Sequence, residues 1–226
     1  MTKPRQHHRN VDSHNVTGAV DSPLQDFLLS TSAQAARALA QLRPHPSRLS
    51  RGPITLGDIT YDTDVALSFD EIRASYHINV PIKGWLQSRH RGLETTPSPE
   101  IASIYRPDGE IVVTRWPGGT RNLAVKIDQV AVDRALESLV DGPVESPIPF
   151  EASLPLNGHA AQSWVRLLLM VQRHLDRPDS LIAHSVVSIP LVESLIHGFL
   201  LVADHPHRKH LLRLLNATDL RRCVPR

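Results

Sequence analysis

The stretch Tyr76-His77-Ile78-Asn79-Val80-Pro81-Ile82-Lys83-Gly84 is the part of the sequence that decides the fold class. Apolar residues at Tyr76, Ile78, Val80 and Ile82 alternate in it with polar residues or proline. This period of two predicts a half-buried β-strand, because successive side chains of a strand point to opposite faces. Lys83-Gly84 offers a turn, so residues 85–90 are predicted to return beside this strand as a hairpin.

Further short strands are predicted on both sides of this stretch. They cover residues 54–61, 65–69, 101–105, 111–114 and 123–127, and clusters of Gly, Pro and Asp separate them. Many short strands at this spacing are typical of an antiparallel barrel or sandwich.

Helical periodicity predicts three helices after the strands, over about 128–140, 160–176 and 184–203. Asp128 is a candidate N-cap for the first, and Gly142-Pro143 ends it. Pro190 is expected to open or kink the third, and the residues from Asp204 onward are expected to have no stable structure.

This organisation predicts four segments. They are a disordered leader over 1–20, a barrel with an N-terminal helix over 21–150, a helical dimerisation segment over 151–207, and a basic tail over 208–226.

Composition narrows the class of protein. Of the 226 residues 41% are hydrophobic, which is enough for a substantial core, and the net charge of +2 is too small to mark a dedicated nucleic-acid binder. A single cysteine, Cys223, excludes an intramolecular disulfide and fits a reducing cytoplasm. Residues 181–203 are long enough to span a membrane, but they include Pro190, Glu193 and His197, which favour a soluble protein.

Several stretches together resemble the ligand-binding domain of AraC/XylS-type bacterial transcription regulators. The strand-turn stretch 76–84 resembles one segment of that domain, and Leu123-Ala124-Val125-Lys126-Ile127-Asp128 resembles its last strand running into a helix. Ser163-Trp164-Val165-Arg166-Leu167 and Asp176-Arg177-Pro178-Asp179-Ser180-Leu181 follow in the same order, with Ala183-His184 after them. The resemblance covers roughly residues 21–207.

The resemblance implies an α+β fold, in which a cupin-like antiparallel β-barrel holds a small-molecule effector and an antiparallel helical pair forms a homodimer. It also allows a heterodimer with a full-length regulator. In such regulators a C-terminal domain with two helix-turn-helix units reads DNA. Only 23 residues follow Ala203 here, so we expect no specific DNA binding by this chain alone.

Candidate effector-binding residues are the polar and aromatic side chains among the predicted strands: Arg73, His77, Trp85, Arg89, Tyr105, Arg115 and Trp116. An arginine would pair with a carboxylate effector, and a tryptophan would stack on a ring. Each of them would equally serve as a surface cation or a packing aromatic. Trp85 and Arg89 share one strand face, but the alternation does not show whether that face points inward. The candidate dimerisation residues are Val192, Leu195, Ile196 and Phe199.

The alternative function is a metal-dependent enzyme of the cupin type, an oxygenase or isomerase. Such an enzyme needs clustered histidine and carboxylate ligands. The stretch 89–94 offers His90 between two arginines, which disfavour a divalent metal. His205, His207 and His210 have no second ligand cluster with them. We therefore expect no metal, no cofactor and no catalytic residues.

Overall fold

The computed structural model describes residues 47–69, 74–175, 177 and 179–222. The predicted leader, the predicted N-terminal helix, Arg73 and Cys223 lie outside the described residues.

The strands of the described chain form two antiparallel sheets. They are β1 (Ser47–Arg51), β2 (Ile54–Thr60), β3 (Val65–Phe69), β4 (Ser75–Lys83), β5 (Gln87–His90), β6 (Leu93–Thr95), β7 (Ile101–Tyr105), β8 (Ile111–Trp116), β9 (Arg121–Asp128) and β10 (Ser153–Pro155). The first sheet has the order β1–β2–β9–β4–β7–β10 and the second has the order β3–β8–β5–β6. All five strands predicted around 76–84 are present, whereas β1, β6 and β10 were not predicted.

The helices of the described chain are α1 (Gln129–Val140), α2 (His159–Leu175), α3 (Ser185–Val202) and α4 (Arg208–Arg222), with a 3₁₀ turn at Leu181–Ala183. Asp128 occupies the N-cap of α1 as predicted, but its side chain makes no capping hydrogen bond. Pro190 does not open α3, because the helix begins at Ser185 and includes the proline.

The prediction that the residues after Asp204 lack stable structure is wrong, since most of them form α4. Leu211 is fully buried and Leu215 packs against the main core, four residues further along the same helix face. These two apolar contacts anchor a helix whose sequence includes five Lys and Arg residues.

The predicted hairpin between residues 76–84 and 85–90 is also wrong. β5 does not return beside β4; it lies in the second sheet, between β8 and β6. Gly84 has a left-handed backbone with φ of 79°, and Thr120 Oγ1 donates a hydrogen bond to the carbonyl of Trp85 at 3.2 Å. The turn therefore directs the chain out of the first sheet rather than back along it.

The first sheet is buried on both faces. One face carries Tyr76 and Ile78 of β4, which pack with Phe150 and the helices in the larger hydrophobic core. The opposite face meets the second sheet, where a smaller core includes Tyr61, Tyr105 and Trp116. The barrel interior and the helical layer therefore share one sheet as a common wall.

Helix α3 lies in close contact with α2. The indole Nε1 of Trp164 donates a hydrogen bond to the carbonyl of Leu195 at 3.0 Å, and a Cβ added at Gly198 would lie 2.7 Å from Trp164 Cδ1. Helix α3 is long enough and apolar enough to cross a membrane, judged by length and composition alone. Its Leu195, Phe199 and Leu200 are buried in the protein's core.

Candidate functional site

A cavity of about 40 Å³ lies between the two sheets, inside the barrel. Tyr61, Phe69 and Trp116 contribute apolar and aromatic walls, and His77 and Asn79 contribute polar groups. A space of this size holds a few water molecules, because one water needs roughly 10–15 Å³ measured in this way. An organic molecule therefore enters only if the cavity enlarges.

Strand register explains why these polar groups meet. On β4, His77 lies opposite Tyr105 of β7 and Lys126 of β9, and Asn79 lies opposite Ala124. Alternate residues of β4 face the barrel, whereas Tyr76 and Ile78 face the helices. The alternation that predicted the strand also divides its residues between the barrel interior and the core beneath the helices.

A line of hydrogen bonds crosses the barrel interior and joins the two sheets; we call it the polar row. Asn122 Nδ2 donates to Asn79 Oδ1 at 2.9 Å, and Asn79 Nδ2 donates to the Tyr105 hydroxyl at 3.2 Å. That hydroxyl lies 2.7 Å from Ser88 Oγ of the second sheet, and Ser88 Oγ lies 3.0 Å from Thr95 Oγ1. At the other end Asn122 Oδ1 is buried without a hydrogen-bond partner.

The ionisable groups in the cavity wall are uncharged at neutral pH. Burial, reinforced by the positive charge of Lys126, lowers the pKa of His77 to about 3. Burial also raises the pKa of Tyr105 above its usual value. The cavity therefore presents a neutral imidazole and a neutral phenol.

Three of the predicted effector-binding residues line this cavity: His77, Tyr105 and Trp116. The Trp116 indole is already bonded, since its Nε1 donates to the carbonyl of Thr120 at 3.2 Å. Tyr61 packs edge-on against it with ring centroids 5.1 Å apart. Trp116 therefore serves as a fixed part of the wall.

The predicted cations do not lie in the barrel. Arg89 and Arg115 are exposed, and the Arg115 guanidinium lies 5.4 Å above the Trp85 ring on the outside of the protein. Arg115 also forms an ion pair with Asp64 at 3.5 Å. The face shared by Trp85 and Arg89 is thus the outer one, because Leu86, Ser88 and His90 on the alternate positions are buried. An arginine pairing with a carboxylate in the barrel is not supported by the residues described.

Sequence reasoning missed Asn79, Asn122, Ser88 and Tyr61. Asn79 was part of the deciding stretch, two residues from His77 on the same strand face, so that spacing was a signal that could have found it. Asn122 and Ser88 carried no such signal. Their roles depend on which strands become neighbours.

The predicted dimerisation residues lie mostly inside the chain's own core. Leu195, Ile196 and Phe199 are buried, and the Phe199 ring packs against Phe150 with centroids 4.8 Å apart. Val192 lines an open groove of about 680 Å³ between α1 and α3. The exposed apolar residues of this region are others: Leu181 at 72%, Val186 at 79% and Ile189 at 58% of full exposure.

Within the described residues, no group of three or more His, Cys, Asp or Glu side chains is placed to hold a metal ion. His90 uses both ring nitrogens in the fold, with Nδ1 3.1 Å from the carbonyl of Glu110 and Nε2 accepting from the Arg106 N–H at 3.2 Å. His205 is likewise buried, with Nε2 2.9 Å from the carbonyl of Leu200. These histidines have structural roles.

Comparisons with known proteins agree with this architecture. Residues 33–201 match the family described as the AraC-binding-like domain. The chain is 35% identical over 164 residues to the probable thc operon regulatory protein of Rhodococcus erythropolis, covering 72% of this chain and 49% of that protein. The chain thus spans about half the length of this curated relative.

Among solved structures, the AraC-like transcriptional activator CuxR superposes with a TM-score of 0.53 and 10% identity, over 78% of this chain and 66% of that one. A cupin 2 conserved barrel domain protein from Salinispora arenicola matches 42% of this chain and 87% of its own, with 17% identity and a TM-score of 0.31. The predicted α+β fold with a cupin-like barrel is confirmed. The chain belongs to the family of AraC-binding-like domains.

Proposed function

We propose that this chain is the effector-sensing and dimerisation module of an AraC-type transcription regulator, and that the effector binds between the two sheets of the barrel. The polar row is the observation that carries this proposal. Buried polar groups cost free energy relative to apolar packing, and a small number of placed polar groups in an apolar cavity is typical of ligand sites. His77, Asn79 and Tyr105 bring such groups to one wall of the cavity.

β3 is the part of the cavity wall that can move to admit a ligand. It is the edge strand of the second sheet and pairs only with β8. Its register shifts between Val65 and Leu67, and Phe69 at its end is only partly buried. An irregular edge strand moves at lower cost than the central strands of the first sheet, which are paired on both sides. Outward movement of β3 would enlarge the cavity without breaking the polar row.

A thermal-shift screen of a mixed small-molecule library tests the site when it is run in parallel on two matched variants. Ala124→Val adds two methyl groups to the barrel cavity, and Ala135→Val makes the same change at the groove between α1 and α3. We expect compounds that stabilise the native chain to lose their effect in Ala124→Val and to keep it in Ala135→Val. The reverse pattern would place the effector in the groove and refute the barrel site.

We further propose that the chain forms a homodimer through an apolar surface made of Val186 and Ile189, near the N-terminus of α3. These two side chains lie three residues apart on one face of the helix, and they are 79% and 58% exposed. Leu181 and Met170 are also exposed, but they line a separate groove between α2 and α3. Exposed apolar patches rimmed by polar residues mark interaction surfaces. A full-length regulator carrying the same surface would pair with this chain in the same way.

Sedimentation of a Val186→Glu/Ile189→Glu variant tests this surface. We expect a folded monomer, because two charges would have to be desolvated in the dimer. The control is Val130→Glu on α1, where a valine that is 54% exposed lies outside the proposed surface. A native chain that is monomeric at high concentration would refute the dimer, and a double variant that still dimerises would refute the surface.

A further inference from the structure

We propose that the effector is an uncharged, mainly apolar molecule with one group that both donates and accepts hydrogen bonds, such as a hydroxyl or a carboxamide, which the polar row recognises. This inference rests on the proposed location of the effector in the barrel and specifies its chemical class.

Apart from His77, the described residues that line the cavity are aliphatic, aromatic or amide side chains, and none of them carries a formal charge. Arg89 and Arg115 of the second sheet are exposed, and Arg121 of β9 is paired with Asp58, with Nε donating to Oδ1 at 2.9 Å. An anion buried in such a cavity would lose its hydration without gaining a counter-charge, which costs far more than burying a neutral amide.

Lys126 lies opposite His77 and Thr55 in the sheet, but it is not part of the cavity wall. It is only half-buried, and it already takes part in an interaction of its own. Its charge also opposes protonation of His77. A carboxylate effector would therefore find neither a free ammonium group nor an imidazolium in the barrel.

Both polar atoms of Asn79 are used within the row, whereas Asn122, which is fully buried, leaves its Oδ1 without a partner. Asn122 lies two residues from the wall residue Ala124, on the same face of β9. Reversing both amides would instead leave an unpartnered N–H at Asn122. A group that both donates and accepts satisfies either arrangement, whereas a carboxylate, which only accepts, satisfies the reversed arrangement alone.

Two isosteric probe pairs test the effector class on the full chain at neutral pH: 2-naphthamide against 2-naphthoate, and benzamide against benzoate. Each pair keeps the shape and changes the charge. We expect the amide to bind at least tenfold more tightly than its carboxylate in calorimetry or ligand-observed NMR. Tyr105→Phe should weaken the amide several-fold, and Arg115→Ala on the outer surface should leave both affinities unchanged.

The comparison of each amide with its carboxylate uses the native chain, so it does not depend on the folding of any variant. A carboxylate that binds as tightly as its amide, with binding lost in Ala124→Val, would overturn the uncharged class and leave the barrel as the effector site. Failure of both amides at millimolar concentration, while the library compounds that bind in the barrel are ions, would overturn the class in the same way. If no compound responds to Ala124→Val, the proposed function fails with it.

Discussion

Gly198→Ala should destabilise the protein, although the same change in most helices is stabilising. Alanine gains about 1 kcal/mol over glycine from helix propensity. Here the new Cβ would lie 2.7 Å from Trp164 Cδ1, well inside normal contact distance. Trp164 is buried and held by its hydrogen bond to the carbonyl of Leu195, so its ring cannot simply turn away.

The expected magnitude follows from these opposing effects. Overpacking of a tight core costs about 1–3 kcal/mol, and weakening the indole hydrogen bond costs about 1 kcal/mol more. After the propensity gain, the net loss is about 1–3 kcal/mol, which lowers Tm by about 2–12 °C in a chain of this size.

Urea unfolding and thermal melts monitored by circular dichroism measure this loss. Gly158→Ala is the control, because nothing lies within 4 Å of the Cβ it would add, and it should change stability by less than about 0.5 kcal/mol. In a Trp164→Leu background the clash is removed, so Gly198→Ala should become neutral or stabilising. If Gly198→Ala raises Tm in the native background, α2 and α3 do not pack at this distance.

Three further predictions follow from other contacts. Because burial lowers the pKa of His77 to about 3, the unfolded chain binds more protons between pH 6.5 and 3, so stability should fall as pH falls through that window. In His77→Gln the free energy of unfolding, measured with urea, should fall less steeply with falling pH, by up to about 1.4 kcal/mol per pH unit. The same slope in both chains would contradict the lowered pKa of His77. Leu195→Glu should unfold the chain rather than yield a folded monomer, since the side chain is buried in the chain's own core; a cooperative melt of a soluble variant would refute this. Gly84→Ala and Gly92→Ala both place alanine at positive φ, but only at Gly84 would the Cβ meet Thr120 Oγ1, at 2.5 Å. Equilibrium unfolding should therefore show that Gly84→Ala loses about 1–3 kcal/mol more stability than Gly92→Ala. Equal losses in the two variants would mean that backbone strain alone destabilises them.

Local pattern predicted the strands well but not their partners. The alternation in residues 76–84 depends only on neighbouring positions, and β4 covers Ser75–Lys83. Which strand lies beside it depends on the path of the chain after Gly84, and no local pattern distinguishes a hairpin from a crossing to the second sheet. The same limit applies to α4, where Leu211 and Leu215 become informative only once a core is present to receive them.

The candidate site was predicted in part for the same reason. His77, Tyr105 and Trp116 were identified from residue type, and strand alternation placed His77 and Asn79 on one face. Arg89 and Arg115 had the chemistry of ligand-binding groups but lie on the outer face. The direction in which a strand face points is fixed by tertiary packing, through buried neighbours such as Leu86 and Ser88.

The pleat of the shared sheet gives a direct mechanical link between the barrel and the helices. On β4, His77 and Asn79 are each one peptide unit from Tyr76 and Ile78, so any displacement of the β4 backbone moves both sets of side chains. Tyr76 packs edge-on against Phe150 with centroids 5.1 Å apart, and Phe150 in turn packs against Phe199 of α3. Even when β3 is the strand that makes room for a ligand, contact of that ligand with His77 or Asn79 would thus act on α3 through three aromatic rings, and the N-terminal half of that helix carries Val186 and Ile189.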